Sequence, residues 1–458
     1  MTQATSSIQA QDNRFIHPWD NIHNLGNNQR TVVKQGDGVY VFDSDGNRLI
    51  DGPGGMWCVN IGHGREEMAK AIYDQVMELP YASPWSLTTG PASEFSAQLA
   101  SLSPGDLNHV FFTTCGSTAV DSALRFVQFY NNYRGKPEKK AIIARNKGYH
   151  GSTYLSASVS GKERDKNNLD FADTLVHHIP APHPLMREES QSETEFLEQC
   201  VNDLEHKILE LGADKVAVFV AEPILASGGV IVPPEGYHKH CLDVCRKYDV
   251  LYLSDEVVTG FGRLGHFFAS EAVFGIVPDI ITTAKGLTSG YVPMGAFLVS
   301  ERLLQAFNQE QRNAVFSNGF TYSGHPVAAA AGIKNLEIMQ REDLCGNARE
   351  MGLHMQTRLR ELLDIPIVRD VRGLGLMGCV ECELVSGADD LSLDTELGSR
   401  IDKHCQAMGL IVRPSINMCV MSPPLTINRA QVDEMIDILR RGVELAMQDC
   451  IDEGLWTP

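Results

Sequence analysis

The segment DIITTAKGLTSGYVPMG, which runs from Asp279 to Gly295, places a lysine directly after a short apolar run and directly before a glycine. Lysine is rarely buried, so a strand that delivers Lys285 to a glycine-containing turn can be presenting a nucleophile to a ligand. The alternative is a surface lysine at the end of a strand. The residues that end the neighbouring strands distinguish these two interpretations.

The sequence before this segment alternates between helical patterns and short apolar runs. Helices are predicted over residues 66–79 and 118–133. The apolar runs are HVFF (109–112), AIIA (141–144), VAVFVAEPI (216–224), VLYLSDEVV (250–258) and DIITTA (279–284). Such alternation predicts an α/β fold with a largely parallel sheet that is covered by helices on both faces.

Two further regions flank this core. Residues 38–52, GVYVFDSDGNRLIDG, alternate around a Ser-Asp-Gly-Asn turn and predict a hairpin. The alanine-rich helix predicted over 326–340 leads to further strands and a final amphipathic helix. We therefore predict that 1–65 form an N-terminal segment and part of a small domain. Residues 66–330 would form the large domain, and 331–458 the rest of the small domain.

Composition and charge exclude several kinds of partner. The 458-residue chain has a formal net charge of -19 and no concentrated basic face, which argues against nucleic acid. No apolar run approaches the roughly 18 residues of a membrane span, and the first residues lack the pattern of a secretory signal. We expect a cytoplasmic protein with no membrane partner, whose eleven cysteines are free thiols.

Two cysteine-containing segments suggest a metal site only at first sight. Residues 237–249 contain four potential ligands, but they form an amphipathic helical pattern whose inner face carries the cysteines, and the spacing is unlike that of zinc sites. These ligands are His238, His240, Cys241 and Cys245. Cys379 and Cys382 lie on a predicted strand, where positions three apart face opposite sides. We predict no metal site.

Polar side chains follow each of the five apolar runs. In open parallel sheets, ligands bind beyond the carboxyl ends of the strands. The residues at these ends are Cys115-Gly116-Ser117-Thr118, Tyr149 and His150, Glu222, Asp255 and Glu256, and Lys285. The first group opens a helix, whose free backbone amides and positive dipole end suit a phosphate. One sheet edge is therefore expected to carry a phosphate cup, an aromatic ring, carboxylates and a lysine.

This set of groups fits pyridoxal phosphate. The cofactor needs an amine that holds its aldehyde as a Schiff base, a phosphate cup, and a carboxylate beside the ring nitrogen. The carboxylate keeps that nitrogen protonated, so the ring can accept the electron pair released at the substrate's amine-bearing carbon. We predict Lys285 and Asp255 for these roles. Once a substrate amine has displaced it, Lys285 is also placed to move a proton, and burial would lower its pKa towards the neutral form.

Four motifs point to a family. The sequence resembles the class III pyridoxal-phosphate aminotransferases of fold type I, in particular their ω-amino acid or amine:pyruvate subgroup, over nearly the whole chain after about residue 30. The motifs are GYHGST (148–153), LSDEVVTGFGRLG (253–265), TAKGLTSGYVPMG (283–295) and GFTYSGHPVAAAAG (319–332). The resemblance implies a mostly parallel seven-stranded sheet and a smaller α+β domain from both termini. It also implies a homodimer, or a tetramer built from it, with shared active sites.

The resemblance assigns the remaining cofactor contacts. Val257 packs on one face of the ring, and Tyr149 stacks on the other. Gly116 and Ser117 hold the phosphate, with Thr321 (beside Phe320) arriving from the partner subunit. His150 and Glu222 are further candidates at the cofactor, but their roles, like that of Glu256, are not assigned by the sequence.

The substrate pocket is predicted from two loops and one arginine. Trp57 and Trp85 lie in glycine- and proline-rich segments, where such rings either form a pocket wall or fill an interface core. The resemblance places both in the pocket with Tyr149. It places Arg413 where relatives have an arginine that swings in to bind a carboxylate and out to admit an apolar amine. The alternative for Arg413 is a surface ion pair.

Three positions depart from the pattern of the family. Thr118 stands in the phosphate loop where glutamate is usual, but the backbone donors of that loop should survive the change. Leu225 replaces a common glutamine, and Ser227 replaces a frequent alanine. Because these two lie near the substrate, we expect them to affect specificity, and Ser227 is a candidate substrate contact.

Two glycine patterns, GFGRLG (260–265) and GLGLMG (373–378), satisfy GxGxxG. A dinucleotide fingerprint requires a strand, a glycine turn and a helix in immediate succession, followed by an acidic residue about 20 positions on. Neither segment meets these requirements, so we do not predict a nicotinamide cofactor.

The sequence thus predicts an aminotransferase whose reaction consists of two half-reactions. An amine donor converts the cofactor to pyridoxamine phosphate, and a keto acid, expected to be pyruvate, then takes the amine. Two alternatives remain: an aminomutase or decarboxylase on the same scaffold, and a binding protein that has kept the fold without catalysis. The donor is open among β-alanine, 4-aminobutyrate, a diamine, taurine and aromatic amines.

Overall fold

A computed structural model describes residues 3–27, 30–308, 313–384 and 391–457. Its strands are β1 Val33–Asp37, β2 Tyr40–Asp43, β3 Arg48–Asp51, β4 His109–Thr113, β5 Ala141–Arg145, β6 Val176–Ile179, β7 Val216–Ala221, β8 Leu251–Asp255, β9 Ile280–Thr283, β10 Gly295–Val299, β11 Val368–Leu374, β12 Met377–Cys382, β13 Leu410–Ile411, β14 Arg413–Ser415 and β15 Met418–Met421. Its helices are α1 Gln3–Asp12, α2 Gly54–Trp57, α3 Glu66–Glu78, α4 Gly90–Leu102, α5 Gly116–Tyr133, α6 Tyr154–Val159, α7 Glu193–Leu211, α8 Tyr237–Lys247, α9 Ala269–Ala272, α10 Glu301–Leu304, α11 Pro326–Arg341, α12 Leu344–Arg360, α13 Ser392–Ala407 and α14 Arg429–Asp452.

A seven-stranded sheet with the order β4-β10-β9-β8-β7-β5-β6 forms the centre of the protein. The pairs from β9 to β6 are all parallel, whereas β10 pairs antiparallel with both β9 and β4. The predicted mostly parallel sheet is confirmed. Strands β6 and β10 were not among the five apolar runs. Because β10 runs against its neighbours, β4 points the same way as β9, and the carboxyl ends of β4, β5, β7, β8 and β9 share one edge.

Helices cover both faces of this sheet, as predicted. In β7 every residue is buried, and alternate side chains enter different cores. Val218 and Val220 pack with residues of α5, whereas Phe219 and Ala221 pack with residues of α7 and α8. Cys241 belongs to this second core, so the inward orientation predicted for the cysteines of α8 is confirmed.

The two ends of the chain meet in a second, smaller sheet. The predicted hairpin is present as β2 and β3, and β13 from the C-terminal region pairs parallel with β3. A third, antiparallel sheet has the order β11-β12-β15-β14. Cys379 and Cys382 on β12 enter different cores, as predicted for positions three apart on a strand. The domain boundaries themselves stay a prediction.

The second of the two glycine patterns has a clear structural outcome. Residues 373–378 form the end of β11, a tight turn and the start of β12, an arrangement without the helix that dinucleotide binding requires. Within the described residues, no helix is both long and apolar enough to pass through a membrane. The same part of the chain brings no three His, Cys, Asp or Glu side chains together in a group suited to a metal ion.

Candidate active site

A cavity of about 300 Å³ lies at the shared carboxyl edge of the central sheet. It is lined by eight of the ten residues predicted to contact the cofactor, namely Gly116, Ser117, Tyr149, His150, Glu222, Asp255, Val257 and Lys285. The strand ends therefore converge on one site, as expected from the parallel arrangement. This convergence favours a ligand-facing Lys285 over a surface lysine.

Lys285 follows β9 in a strained turn. Its φ of 46° lies in the left-handed region, which L-residues other than glycine, asparagine and aspartate rarely adopt. The next residue must be a glycine, because a Cβ on Gly286 would lie 2.3 Å from Asn60 Nδ2. Burial lowers the pKa of Lys285, while the charges of Asp255 and Glu222 oppose that change. The lowered pKa favours the neutral amine that a nucleophile or a proton carrier needs.

A buried asparagine on α11 holds this turn. Asn335 Nδ2 donates to the carbonyl of Gly286 at 2.8 Å and to that of Leu287 at 3.2 Å. Its Oδ1 accepts from the hydroxyl of Ser289 at 2.6 Å. Both sides of the Asn335 amide are thus used to fix the backbone that follows Lys285.

Asp255 ends β8 and is held by three neighbours. Its Oδ2 is 2.7 Å from His150 Nδ1, and its Oδ1 accepts from the hydroxyl of Thr282 at 3.1 Å and the backbone amide of Val257 at 3.2 Å. Both His150 and Asp255 are buried. His150 therefore orients the carboxylate, a role that the sequence left unassigned.

The two remaining glutamates differ in position. Glu222 lines the cavity and accepts from the backbone amides of Tyr149 at 2.9 Å and Ala226 at 3.0 Å, while burial raises its pKa. Glu256 does not line the cavity. It accepts from the amides of Ala269 at 2.7 Å and Ser270 at 2.9 Å, and from two hydroxyls. Glu222 thus fixes the backbone at Tyr149, whereas Glu256 holds the first backbone amides of α9.

The predicted phosphate cup lies at the N-terminus of α5. Thr118 Oγ1 accepts from the backbone amides of Cys115 at 3.1 Å and Thr114 at 3.3 Å, so it takes over the capping role of the usual glutamate. A Cβ on Gly116 would lie 3.1 Å from a methyl group of Val257, so glycine keeps this space open. The first amides of an 18-residue helix are thus available for an anion.

These groups fit pyridoxal phosphate. Gly116 and Ser117 would hold its phosphate, Asp255 its ring nitrogen, and Lys285 its aldehyde. When bound, this cofactor supplies an aromatic ring that withdraws the electron pair from the carbon bearing the substrate's amine. Val257 and Tyr149 line the same cavity, where they can contact the ring.

Trp57 and Arg413 lie beside the cavity. The ring centroid of Trp57 is 5.6 Å from Lys285 Nζ and 5.2 Å from Arg413 Cζ. Trp57 is only 4% exposed and has a φ of 60°. Its loop is held by Asp51, whose carboxylate accepts from the backbone amide of Gly55 at 2.7 Å. Trp57 and Arg413 therefore lie near Lys285 without lining the cavity, and their role in the substrate pocket stays a prediction.

Six predicted residues do not line the cavity of their own chain: Trp57, Ser227 and Arg413, which lie close to it, and Trp85, Phe320 and Thr321. Trp85 is 94% exposed, and Phe320 and Thr321 lie in a surface segment. The two segments touch, because the hydroxyl of Tyr81 donates to the carbonyl of Thr321 at 2.8 Å. Trp85, Phe320 and Thr321 thus share one surface, away from the cavity to which this chain contributes Lys285.

Two residues beside Tyr149 were missed from the sequence. Lys162 donates a hydrogen bond to Ser227, and its Nζ lies 5.6 Å from the ring centroid of Tyr149. The ring of Trp19 lies 6.1 Å from that of Tyr149. Both stand in irregular segments without periodicity, and only the GK dipeptide after α6 could have drawn attention to Lys162. Ser227 is thereby placed near Tyr149, and its role as a substrate contact stays a prediction.

Comparisons with known proteins agree with this site. The family model "Aminotransferase class-III" matches residues 23–443. The putrescine–pyruvate aminotransferase of Pseudomonas aeruginosa is 39% identical over 428 residues, which cover 93% of this chain and 93% of that protein. The diaminobutyrate–2-oxoglutarate transaminase of Halomonas elongata is 38% identical over 434 residues, covering 92% of each.

A solved structure extends the comparison to the fold and the cofactor. The crystal structure of the ω-transaminase from Pseudomonas jessenii in complex with PMP has a TM-score of 0.91 and 35% sequence identity. The match covers 96% of this chain and 98% of that chain. With the family model matched over most of its length, this chain belongs to the class III aminotransferases, which are pyridoxal-phosphate enzymes of fold type I.

Proposed function

We propose that the protein transfers the amino group of an ω-amino acid or primary amine to pyruvate by a ping-pong mechanism. Membership of the family shows an aminotransferase that takes an amine donor and a keto acid. The finer assignment is supported above all by the cavity, which combines Lys285 and Asp255, and by the nearby pair of Trp57 and Arg413. The names of the relatives include both pyruvate and 2-oxoglutarate as acceptors, so the acceptor requires a direct test.

Three residues of the chain have separate roles in the proposed reaction. Lys285, whose pKa is lowered by burial, moves the proton at the substrate carbon. Asp255, fixed by His150, keeps the ring nitrogen charged. Arg413 binds the carboxylate of the keto acid, since its guanidinium is free of carboxylate partners in the described part of the chain.

We further propose a homodimer with shared active sites. Trp85 and Thr321 lie on one exposed surface, together with the exposed rings of Tyr81 and Tyr322. Large exposed rings of this kind are typical of protein interfaces. In a dimer, this surface would complete the pocket of the partner subunit. Mixing a Lys285→Ala variant with a Trp85→Ala variant should then restore activity through one intact site in each mixed dimer.

A two-step absorbance experiment tests the reaction. A suitable amine alone should bleach the visible absorbance of the yellow holoenzyme, and pyruvate should restore it with formation of alanine. Lys285→Ala should abolish turnover, whereas Lys166→Ala, a change outside the cavity, should not. Product formed without any keto acid would identify an isomerase instead, and release of carbon dioxide would identify a decarboxylase. Failure of a broad amine panel to change the spectrum would favour a non-catalytic protein.

A further inference from the structure

A group of cations lies beyond Tyr149, on the side of the cavity where Trp57 and Arg413 stand. Lys162 extends over the ring of Tyr149 and donates to the hydroxyl of Ser227. Arg164 lies two residues further along the chain and donates to the hydroxyl of Ser415 at 3.0 Å. We call Lys162, Arg164 and Arg413 the cationic rim; their charges act on one another near the cavity, although none of the three lines it.

Only one of the three cations has a carboxylate partner in the described part of the chain. Arg164 Nε lies 3.4 Å from Asp165, its neighbour in sequence. Lys162 has a hydroxyl as its partner, and Arg413 lies against the Trp57 ring with a buried NH1 group that makes no hydrogen bond. Two cations of this rim therefore lack a counter-ion.

The surroundings of Lys162 make the absence of a counter-ion energetically unfavourable. Burial lowers its pKa to about 8, and the charges of Arg164 and Arg413 act in the same direction. Asp165 and Glu222 oppose the shift without cancelling it. A partly buried ammonium in such a field is stabilised by an anion and destabilised by a further cation.

The number of cations also bears on which amine donor the site would bind. The carboxylate of a keto acid lies next to the reacting carbon and needs one partner, which Arg413 supplies under the proposed function. A second free cation suits a carboxylate that lies farther from the reacting amine. A diamine would instead bring its second ammonium into a region that already holds excess positive charge.

We propose that Lys162 is a specificity-determining residue that binds the anionic end of the amine donor. The donor is then an amino acid whose carboxylate lies several carbons from its amine, rather than a diamine. In the absence of a donor, the hydroxyl of Ser227 holds the ammonium in place, which gives this departure from the family pattern a role. This inference rests on the proposed function, since it concerns the donor of that reaction.

Three donors with the same four-carbon chain isolate the effect of the end group: 4-aminobutyrate, 1,4-diaminobutane and butylamine. Wild-type holoenzyme should show its highest kcat/KM with 4-aminobutyrate. Lys162→Met should lower kcat/KM for this donor by about 10- to 100-fold, as expected for a lost charge-assisted hydrogen bond, and leave butylamine within about threefold. Lys162→Arg should retain most of the preference. Lys166→Met, which removes a nearby lysine, should behave as wild type.

A binding measurement separates recognition from chemistry. Butanoate carries the carboxylate but no amine, so its dissociation constant, measured by calorimetry on the holoenzyme, should rise about tenfold or more in Lys162→Met. A wild-type preference for 1,4-diaminobutane would overturn the inference. So would a Lys162→Met variant that lowers kcat/KM equally for 4-aminobutyrate and butylamine. If no amine bleaches the holoenzyme at all, the proposed function fails, and this inference fails with it.

Discussion

Replacing Asn335 by alanine should disable the turn that carries Lys285 without touching the cavity itself. The side chain of Asn335 makes three buried hydrogen bonds, to the carbonyls of Gly286 and Leu287 and to the hydroxyl of Ser289. These bonds fix the backbone directly after a lysine with a φ of 46°. Without them, the turn can relax towards an ordinary conformation and move the amine away.

Two magnitudes follow from this geometry. Leaving three buried polar partners unsatisfied costs about 1–3 kcal/mol each, so Asn335→Ala should lower the free energy of unfolding by about 3–9 kcal/mol. A left-handed lysine stores about 1–3 kcal/mol of backbone strain, which the relaxed turn of the variant would release. Regaining the active geometry would then cost the same amount, which corresponds to a half-reaction about 5- to 150-fold slower.

Asn347 provides a matched control. Its Nδ2 also donates to two backbone carbonyls, those of Leu425 at 2.6 Å and Ile427 at 2.9 Å, but it does not line the cavity. Thermal unfolding should show a lower Tm for both alanine variants. Stopped-flow absorbance of the donor half-reaction should show a slow step only for Asn335→Ala. If this variant, with its cofactor bound, reacts within about twofold of the wild-type rate, the assignment of Asn335 as a positioning residue is refuted.

Four further predictions concern single groups of the site. Asp255→Asn should still allow borohydride to fix the cofactor on the chain, but its turnover should fall at least about 100-fold because an amide cannot keep the ring nitrogen charged. The ammonium of Lys162, with a pKa of about 8, is charged below that pH and neutral above it, so KM for 4-aminobutyrate should rise between pH 7 and pH 9 more steeply than KM for butylamine. Ser227→Ala should leave the butylamine reaction intact and change KM for 4-aminobutyrate, which steady-state kinetics would show. Glu256→Ala should lower Tm in calorimetry, because four hydrogen bonds are lost, while the remaining folded enzyme keeps its kcat.

The convergence of Lys285, Asp255 and Glu222 was predictable because it follows from topology. Parallel strands end at one edge, so residues that follow apolar runs meet there whatever the details of packing. Orientation was not predictable in the same way. The sequence could place His150 and Glu222 at the edge, but only the folded structure shows that His150 contacts Asp255 and that Glu222 contacts Tyr149.

Site residues on irregular segments could not be predicted from the sequence, and the reason is physical. Lys162 and Trp19 reach Tyr149 through loops whose course depends on long-range contacts, and such loops carry no periodic pattern. Trp85 and Thr321 pose a different problem, since they lie away from the cavity of their own chain. Their assignment to a partner subunit rests on the family resemblance and stays a proposal, as does the cytoplasmic location.

Tyr149 and His150 are consecutive residues that are tied to carboxylates from two different strands. The amide of Tyr149 bonds Glu222 after β7, and the imidazole of His150 bonds Asp255 at the end of β8. A substitution that enlarges the pocket by shifting the backbone at Tyr149 would therefore also displace His150 and, with it, Asp255, the residue assigned to the ring nitrogen of the coenzyme. Variants selected at this position for bulkier amines should lose their prosthetic group faster on dialysis, so operational lifetime and substrate scope would have to be optimised together.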